Sequence, residues 1–205
     1  MVVIVDYDAG NLRSVQRACA QVGIDAVISS SADEIRAAER IIFPGVGAAG
    51  SAMASLAANG LDVALKDALT AGTPVFGICL GLQISLQHSE ENDQTTLGLI
   101  DGEVVRFRLR ASELKVPHMG WNEVRVKRPH HMLAGIEPGD EFYFVHAYYP
   151  CPSSADNVYA VTEYEVEFAS AVAQGNYFAT QFHPEKSGRV GLRMLSQFAT
   201  WDGSC

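Results

Sequence analysis

No run in this 205-residue chain approaches the roughly 20 consecutive apolar residues that a membrane helix needs. The opening, MVVIVDYDAG, has five apolar residues in a row and no basic flank, too little for a secretion signal or a membrane anchor. A cytoplasmic protein is the expectation. Positive charge is also scarce: 15 Lys and Arg stand against 24 Asp and Glu, a net charge of −9. That balance argues against nucleic acid as a partner. Cysteine is limited to Cys19, Cys79, Cys151 and Cys205, with no close pair, so free thiols are expected. No His/Cys spacing suits zinc, and no metal site is expected. The glycine-rich FPGVGAAG (43–50) lacks the lysine and spacing of a phosphate-binding loop. Repeats, low-complexity tracts and linkers are missing too.

What is present alternates in type. VVIV (2–5), IDAVIS (24–29), RIIFPG (40–45) and TPVFGIC (73–79) are short, continuously apolar runs of the kind that form strands covered on both faces. Between them NLRSVQRACAQVG carries Leu12, Val15, Ala18, Cys19 and Val22 at helical spacing, with Gly23 as a stop. SADE (31–34) fits a capping box, and 61–71 reads as a helix. This order predicts an α/β fold, a single domain with a central, mostly parallel, doubly wound sheet. After about residue 100 the segments 103–110, 122–128, 141–149, 157–164, 168–176 and 177–182 read as antiparallel strands, and GRVGLRMLSQFATW closes the chain as a helix.

Chemistry concentrates at FGICLGLQIS (76–85). GICLG (77–81) has the form of a nucleophile elbow with cysteine in the central position. A sharp strand-to-helix turn needs glycines on either side, and the first N–H groups of the helix then face the sulfur. An isolated cysteine, of pKa about 8.5, is only a few per cent thiolate at pH 7. Such a turn with an imidazole nearby favours the reactive form. QFHPEKSG (181–188) supplies His183 as a base and Glu185, two residues on, as the group to orient it if Pro184 bends the chain. His130 and His131, in the polar RPHHM, are expected to be solvated. His88 is expected at the end of the helix after Cys79, where it complements the dipole. FPGVGAAG can supply an oxyanion-hole N–H to go with that of Leu80.

PGVG, GICLGLQ and HPE, in this order, resemble the class I glutamine amidotransferases. DYDAGNLRSV (6–15), KVPHMGWNEV (115–124), YFVHAYY (143–149) and TQFHPEKSG (180–188) are similar, more narrowly, to the glutaminase subunits of imidazole glycerol phosphate synthases. The likeness runs from the first strand to about Gly188, and implies one flavodoxin-like glutamine amidotransferase type 1 domain over residues 1–205.

The resemblance implies a triad of Cys79, His183 and Glu185, with Cys79 attacking the side-chain amide of glutamine to form a thioester. It implies an oxyanion hole from Val46, Gly47 and Leu80, and a substrate site including Gly45, Gln83, Glu91, Ala147 and Tyr148. It implies no cofactor. The partner would be a separate (βα)₈ cyclase, forming a heterodimer through Asn11, Met119, Trp121, Tyr143 and Lys186, and receiving the ammonia for histidine biosynthesis. Two residues depart from the family pattern. Asp8 replaces a glycine, and Asp tolerates left-handed backbone better than most residues. Ala147 stands where a serine or threonine hydroxyl is expected. The rivals are a glutaminase serving pyridoxal phosphate, anthranilate or guanylate synthesis, a cysteine hydrolase of the peptidase or glutamyl-hydrolase kind, and a catalytically dead binding subunit.

Overall fold

The computed structural model describes all residues except Ala9, which falls within the DYDAGN motif, and Ser112. Among the described residues fourteen strands form: β1 Val2–Val5, β2 Ala26–Ser29, β3 Arg40–Gly45, β4 Val75–Cys79, β5 His88–Ser89, β6 Gln94–Thr95, β7 Gly102–Arg106, β8 His118–Glu123, β9 Arg125–Val126, β10 Glu141–His146, β11 Tyr148–Pro152, β12 Val158–Tyr164, β13 Val166–Gln174 and β14 Tyr177–Thr180. The α-helices are α1 Leu12–Gln21, α2 Ala32–Arg36, α3 Ala49–Ala58, α4 Leu61–Thr70, α5 Leu80–Gln83 and α6 Gly188–Thr200.

The main sheet has the order β2-β1-β3-β4-β14-β13-β12-β9. The first five strands run parallel and the last three antiparallel. The chain winds outward from β1 to β2, then back past it to β3 and β4. That reversal opens a crevice at the carboxyl ends of the strands. Period-two alternation splits each buried strand between two cores. Val3, Val5, Ile41, Phe43 and Val75 pack with Leu56 of α3 and Leu61 and Leu65 of α4. Ile4, Ile42, Phe76 and Ile78 face the other way, onto Val15 of α1, Phe198 of α6 and Trp201. A sheet covered on both faces explains why these strands are apolar without interruption.

Several boundaries differ from expectation. The run 141–149 is two strands that break at Ala147, because β10 pairs with β8 while β11 pairs with β7 in a different sheet. The Phe107 N–H bonds the Ala147 carbonyl, 3.0 Å, where the chain changes sheets. PHMGWN, not assigned a strand from the sequence, contributes β8. The Ala-rich α3 has no periodic apolar signal in the sequence, and the helix after Cys79 is a single turn. His88 therefore lies in β5, with its Nε2 2.9 Å from Asp93 Oδ1. Ser31 does cap α2, accepting from Glu34 N, but its own N–H goes to Ser29 Oγ rather than to the Glu34 carboxylate. The four cysteines are free, Cys19 and Cys79 buried and Cys151 and Cys205 exposed. No helix among the described residues is long and apolar enough to cross a membrane.

His130 corrects the solvated-loop expectation. It is buried, stacked on Phe178 and edge-on to Tyr159, with Nδ1 accepting from Met132 N. Burial, with His131 adding to it, lowers its pKa to about 4. Two further buried histidines behave alike: burial takes His118 to about 4 and His146 to about 3. Between the unfolded value near 6.5 and these folded values the unfolded chain binds more protons, so acidification destabilises the fold. Each histidine should cost about 1–2 kcal/mol between pH 7 and pH 5. His130→Asn, which keeps an acceptor for Met132 N–H, should remove about that much of the pH dependence. Urea midpoints of both proteins at pH 5, 6 and 7 check it; parallel curves would contradict the assignment.

Candidate active site

Cys79 ends β4 and caps α5 with φ 54° and ψ −103°, a sparsely populated conformation that costs about 1–3 kcal/mol. The flanking glycines make room for it, though not by relieving the cysteine itself. A Cβ on Gly81 would collide with the Phe43 carbonyl, and one on Gly77 with the Tyr177 hydroxyl and with Ala179 Cβ. Tyr177 Oη then donates to the Gly81 carbonyl at 2.9 Å, fastening the turn to β14. Because α5 is one turn long, what it can contribute comes from the N–H groups of its first turn rather than from an extended dipole.

Parallel pairing sets the next piece. Gly45 is the register partner of Cys79, so PGVG leaves the sheet beside the sulfur. Gly45 also lies against Tyr7, whose buried hydroxyl finds no hydrogen-bond partner among the described residues. Gly47, at φ 114°, adopts a conformation that favours glycine. Asp8 sits at φ 63°, so the departure from glycine there keeps the left-handed turn.

His183 follows β14. Pro184 opens a one-turn 3₁₀ helix that brings Glu185 Oε1 to 2.8 Å from His183 Nδ1, with both side chains almost fully buried. The peptide of His183 is held from the other side: its N–H donates to Tyr143 O, and Ser187 Oγ donates to its carbonyl. Glu185 Oε1 also accepts from Asn11 Nδ2 at 2.9 Å. Asn11, expected at the partner surface, therefore supports the carboxylate. Burial by itself would lower the imidazole pKa. The charges of Cys79 and Glu185 outweigh it and raise the value well above the usual one. Gln181 Nε2 donates to the sulfur at 3.6 Å; for the ring, the charge of Cys79 is the largest influence raising the pKa, ahead of the hydrogen-bonding interaction of the imidazole with that sulfur.

A cavity of about 390 Å³ opens over the sulfur, and Val46, Gly47, Leu80, Gln83, Glu91, Ala147, Tyr148 and Lys186 all line it. Glu91 is partly committed, since its Oε2 accepts the Ala49 N–H at 2.8 Å and caps α3. Gln83 Nε2 is spent on Tyr148 O and Gln181 Oε1, which leaves Oε1 for a ligand. A larger hollow of about 560 Å³, between Lys127–Arg128 and Tyr149–Pro152, touches none of the expected site residues. Among the described residues no acidic, histidine or cysteine cluster could hold a metal.

At the rim, alternation along β8 turns Met119 and Trp121 outward, 62% and 53% exposed. Trp121 pairs with Tyr143 across the ribbon, ring centroids 6.1 Å apart, and Lys186 Nζ sits 5.7 Å over the Tyr143 ring. Four of the five expected interface residues thus share one face. Gln181 and the buried His118–His146 pair were not singled out from the sequence, although all three lie inside the quoted motifs.

A family model described as glutamine amidotransferase class-I matches residues 3–200. A protein of Nitratidesulfovibrio vulgaris (Miyazaki F) named imidazole glycerol phosphate synthase subunit HisH is 49% identical over 203 residues, 97% of this chain and 95% of its own. A protein of Rhodopirellula baltica with the same name is 49% identical over 201 residues, 98% and 97% of the two chains. A solved structure described as a glutamine amidotransferase aligns with TM-score 0.76 at 20% identity, over 98% of this chain and 100% of the other.

The close approach at Gly81 has a measurable consequence. Gly81→Ala should cost about 2–4 kcal/mol and displace the sulfur, although residue 81 does not line the cavity. A urea midpoint and a glutaminase assay like those of the unaltered protein would show that the turn tolerates a side chain.

Proposed function

The chain belongs to the class I glutamine amidotransferases, and from that footing we propose that it is the glutaminase subunit of an imidazole glycerol phosphate synthase. It would hydrolyse glutamine to glutamate and ammonia and pass the ammonia to a (βα)₈ cyclase. The observation that carries this reading is near-half identity over almost the whole chain to proteins named as that subunit. The burial and spacing of Cys79, His183 and Glu185 support the chemistry.

In the proposed reaction the Cys79 thiolate attacks the carbonyl carbon of the glutamine side-chain amide. The carbonyl oxygen becomes an oxyanion, met by N–H groups of Leu80 and of the Val46 peptide. His183, as imidazolium, gives its proton to the departing nitrogen; the C–N bond breaks and ammonia leaves with a thioester behind. Water then attacks the thioester, His183 takes a proton from it, and the C–S bond breaks to release glutamate. Glu185 keeps Nδ1 protonated and the ring aimed, and Asn11 holds Glu185. Gln83 Oε1, the free oxygen of Glu91 and the backbone at Ala147–Tyr148 would take the amino-acid end of the substrate. Because the backbone serves there, Ala147 can replace a hydroxyl residue. The face of Met119, Trp121, Tyr143 and Lys186 would receive the cyclase, since exposed aromatic and methionine anchors are what interfaces concentrate.

Cys79→Ala should abolish glutamine-dependent synthesis by the complex while ammonia-dependent synthesis stays within about twofold, because the nucleophile serves only to liberate ammonia. Assays with both nitrogen donors at saturating partner test this; glutamine-dependent turnover by the variant would remove Cys79 from its role.

The PGVG loop carries a second expectation. Losing one oxyanion donor costs about 2.7–4 kcal/mol, a hundredfold or more in rate. Ammonia released without an acceptor is wasted glutamine, so the free subunit should be slower than the complex by at least that factor, with the Val46 peptide turned away. Glutaminase rates of the isolated chain and of the complex, with and without the cyclase's nucleotide substrate, decide; full activity from the isolated chain would refute it.

A further inference from the structure

The buried amide of Gln181 has no role in the steps above. Gln181 is the first residue beyond β14, and its side chain is fully inaccessible. Its backbone N–H is tied to Ser170 O on β13 at 2.9 Å, so the residue cannot drift. An unpaired amide at this depth is costly, and an aliphatic side chain would fill the same space without that cost. The glutamine must therefore be using both ends of its amide.

Those ends can be told apart. The Tyr148 carbonyl only accepts, so Gln83 must turn its NH₂ toward it, at 2.9 Å. The other hydrogen of that NH₂ reaches Gln181 Oε1 at 3.1 Å. With its oxygen engaged, Gln181 can present only its own NH₂ to Cys79 Sγ, at 3.6 Å. Tyr148 O accepts a second bond, from His146 Nδ1 at 2.8 Å, which leaves His146 Nε2 as an acceptor for His118 Nδ1, 3.0 Å away. Donor direction is thus fixed from the His118–His146 pair to the sulfur, and a flipped Gln181 would set oxygen against sulfur and NH₂ against NH₂.

We propose that Gln181 is a positioning residue for the nucleophile, its amide N–H holding the Cys79 sulfur at the cavity floor and favouring the thiolate over the thiol. This inference rests on the glutaminase reading for its consequence but not for its test. A sulfur that gains charge on losing its proton strengthens an N–H donor bond to it. His183, whose imidazolium is favoured by the charge of the same sulfur, then carries its proton to the leaving nitrogen. Division of labour follows: Gln181 steadies the sulfur and His183 moves protons.

The experiment is alkylation of the full chain by iodoacetamide from pH 5 to 10, with Cys79 read separately from the other three cysteines by peptide mass spectrometry. Gln181→Met keeps the volume and removes the donor; Gln181→Ala removes both. If the donor matters, the half-maximal pH for Cys79 moves up by about one unit in both variants, and alkylation at pH 7 falls about tenfold. In the complex, kcat for glutamine should fall by a similar factor with KM within about twofold. If Gln181 only fills space, Met behaves like the unaltered protein and Ala does not, and the proposal is overturned. Should the variants fail to fold, the side-chain amide of Gln181 in the unaltered protein, ¹⁵N-labelled, gives a second readout. Its proton shift should titrate with the Cys79 alkylation midpoint and lose that step in Cys79→Ala; a shift indifferent to Cys79 ionisation would also overturn the proposal. Alkylation that depends on Gln181 in a protein without glutaminase activity would leave this inference standing and remove the functional reading.

Discussion

The site depends on one pairing, the parallel register of β3 with β4 that puts Gly45 opposite Cys79. The loop that would hold the oxyanion and the turn that presents the sulfur belong to different segments, and nothing in either brings them together. Backbone hydrogen bonds between two apolar strands do so, and both faces of those strands are locked into separate cores. The closeness also dictates composition. Gly81 faces a carbonyl and Gly77 faces a tyrosine hydroxyl, so the turn fits only where the residues two before and two after the cysteine have no side chains. The strain at Cys79 is thus carried by the packing of three strands rather than by the turn.

Around that frame the protein sorts its buried histidines by charge. His183 keeps a carboxylate on one side and the sulfur on the other, and its imidazolium is favoured despite burial. Burial dominates for His118 and His146, which are stabilised neutral and serve as directed hydrogen-bonding links. Neighbouring charges decide which imidazole handles protons and which only orients groups.

Much of this was legible in the sequence, for definite reasons. Continuous apolar runs separated by helical spacing are the mark of a doubly covered parallel sheet, and β1 to β4 lie where those runs predict. The elbow, HPE and the Pro184 bend are local features, so the short path from His183 to Glu185 could be read from their two-residue separation. What could not be read is long-range. Asn11 reaches Glu185 across 174 residues and Gln181 reaches Cys79 across 102, contacts that no spacing announces. His130 looked solvated because its neighbours in sequence are polar, whereas its neighbours in space are Phe178, Tyr159 and Trp201. The strand 141–149 read as one piece because β-propensity is continuous there, and sheet choice is not a local property.

The β8–β10 ribbon ties the outer surface to the base by a short route. Tyr143 shows its ring to Trp121 and Lys186 on the outside, while its carbonyl accepts the His183 N–H and its own N–H meets Ser187 Oγ. One amino acid is therefore both doorplate and hinge pin. The outward-facing ring and the residue that carries the imidazole are thus separated by one backbone hydrogen bond, with no intervening side chains.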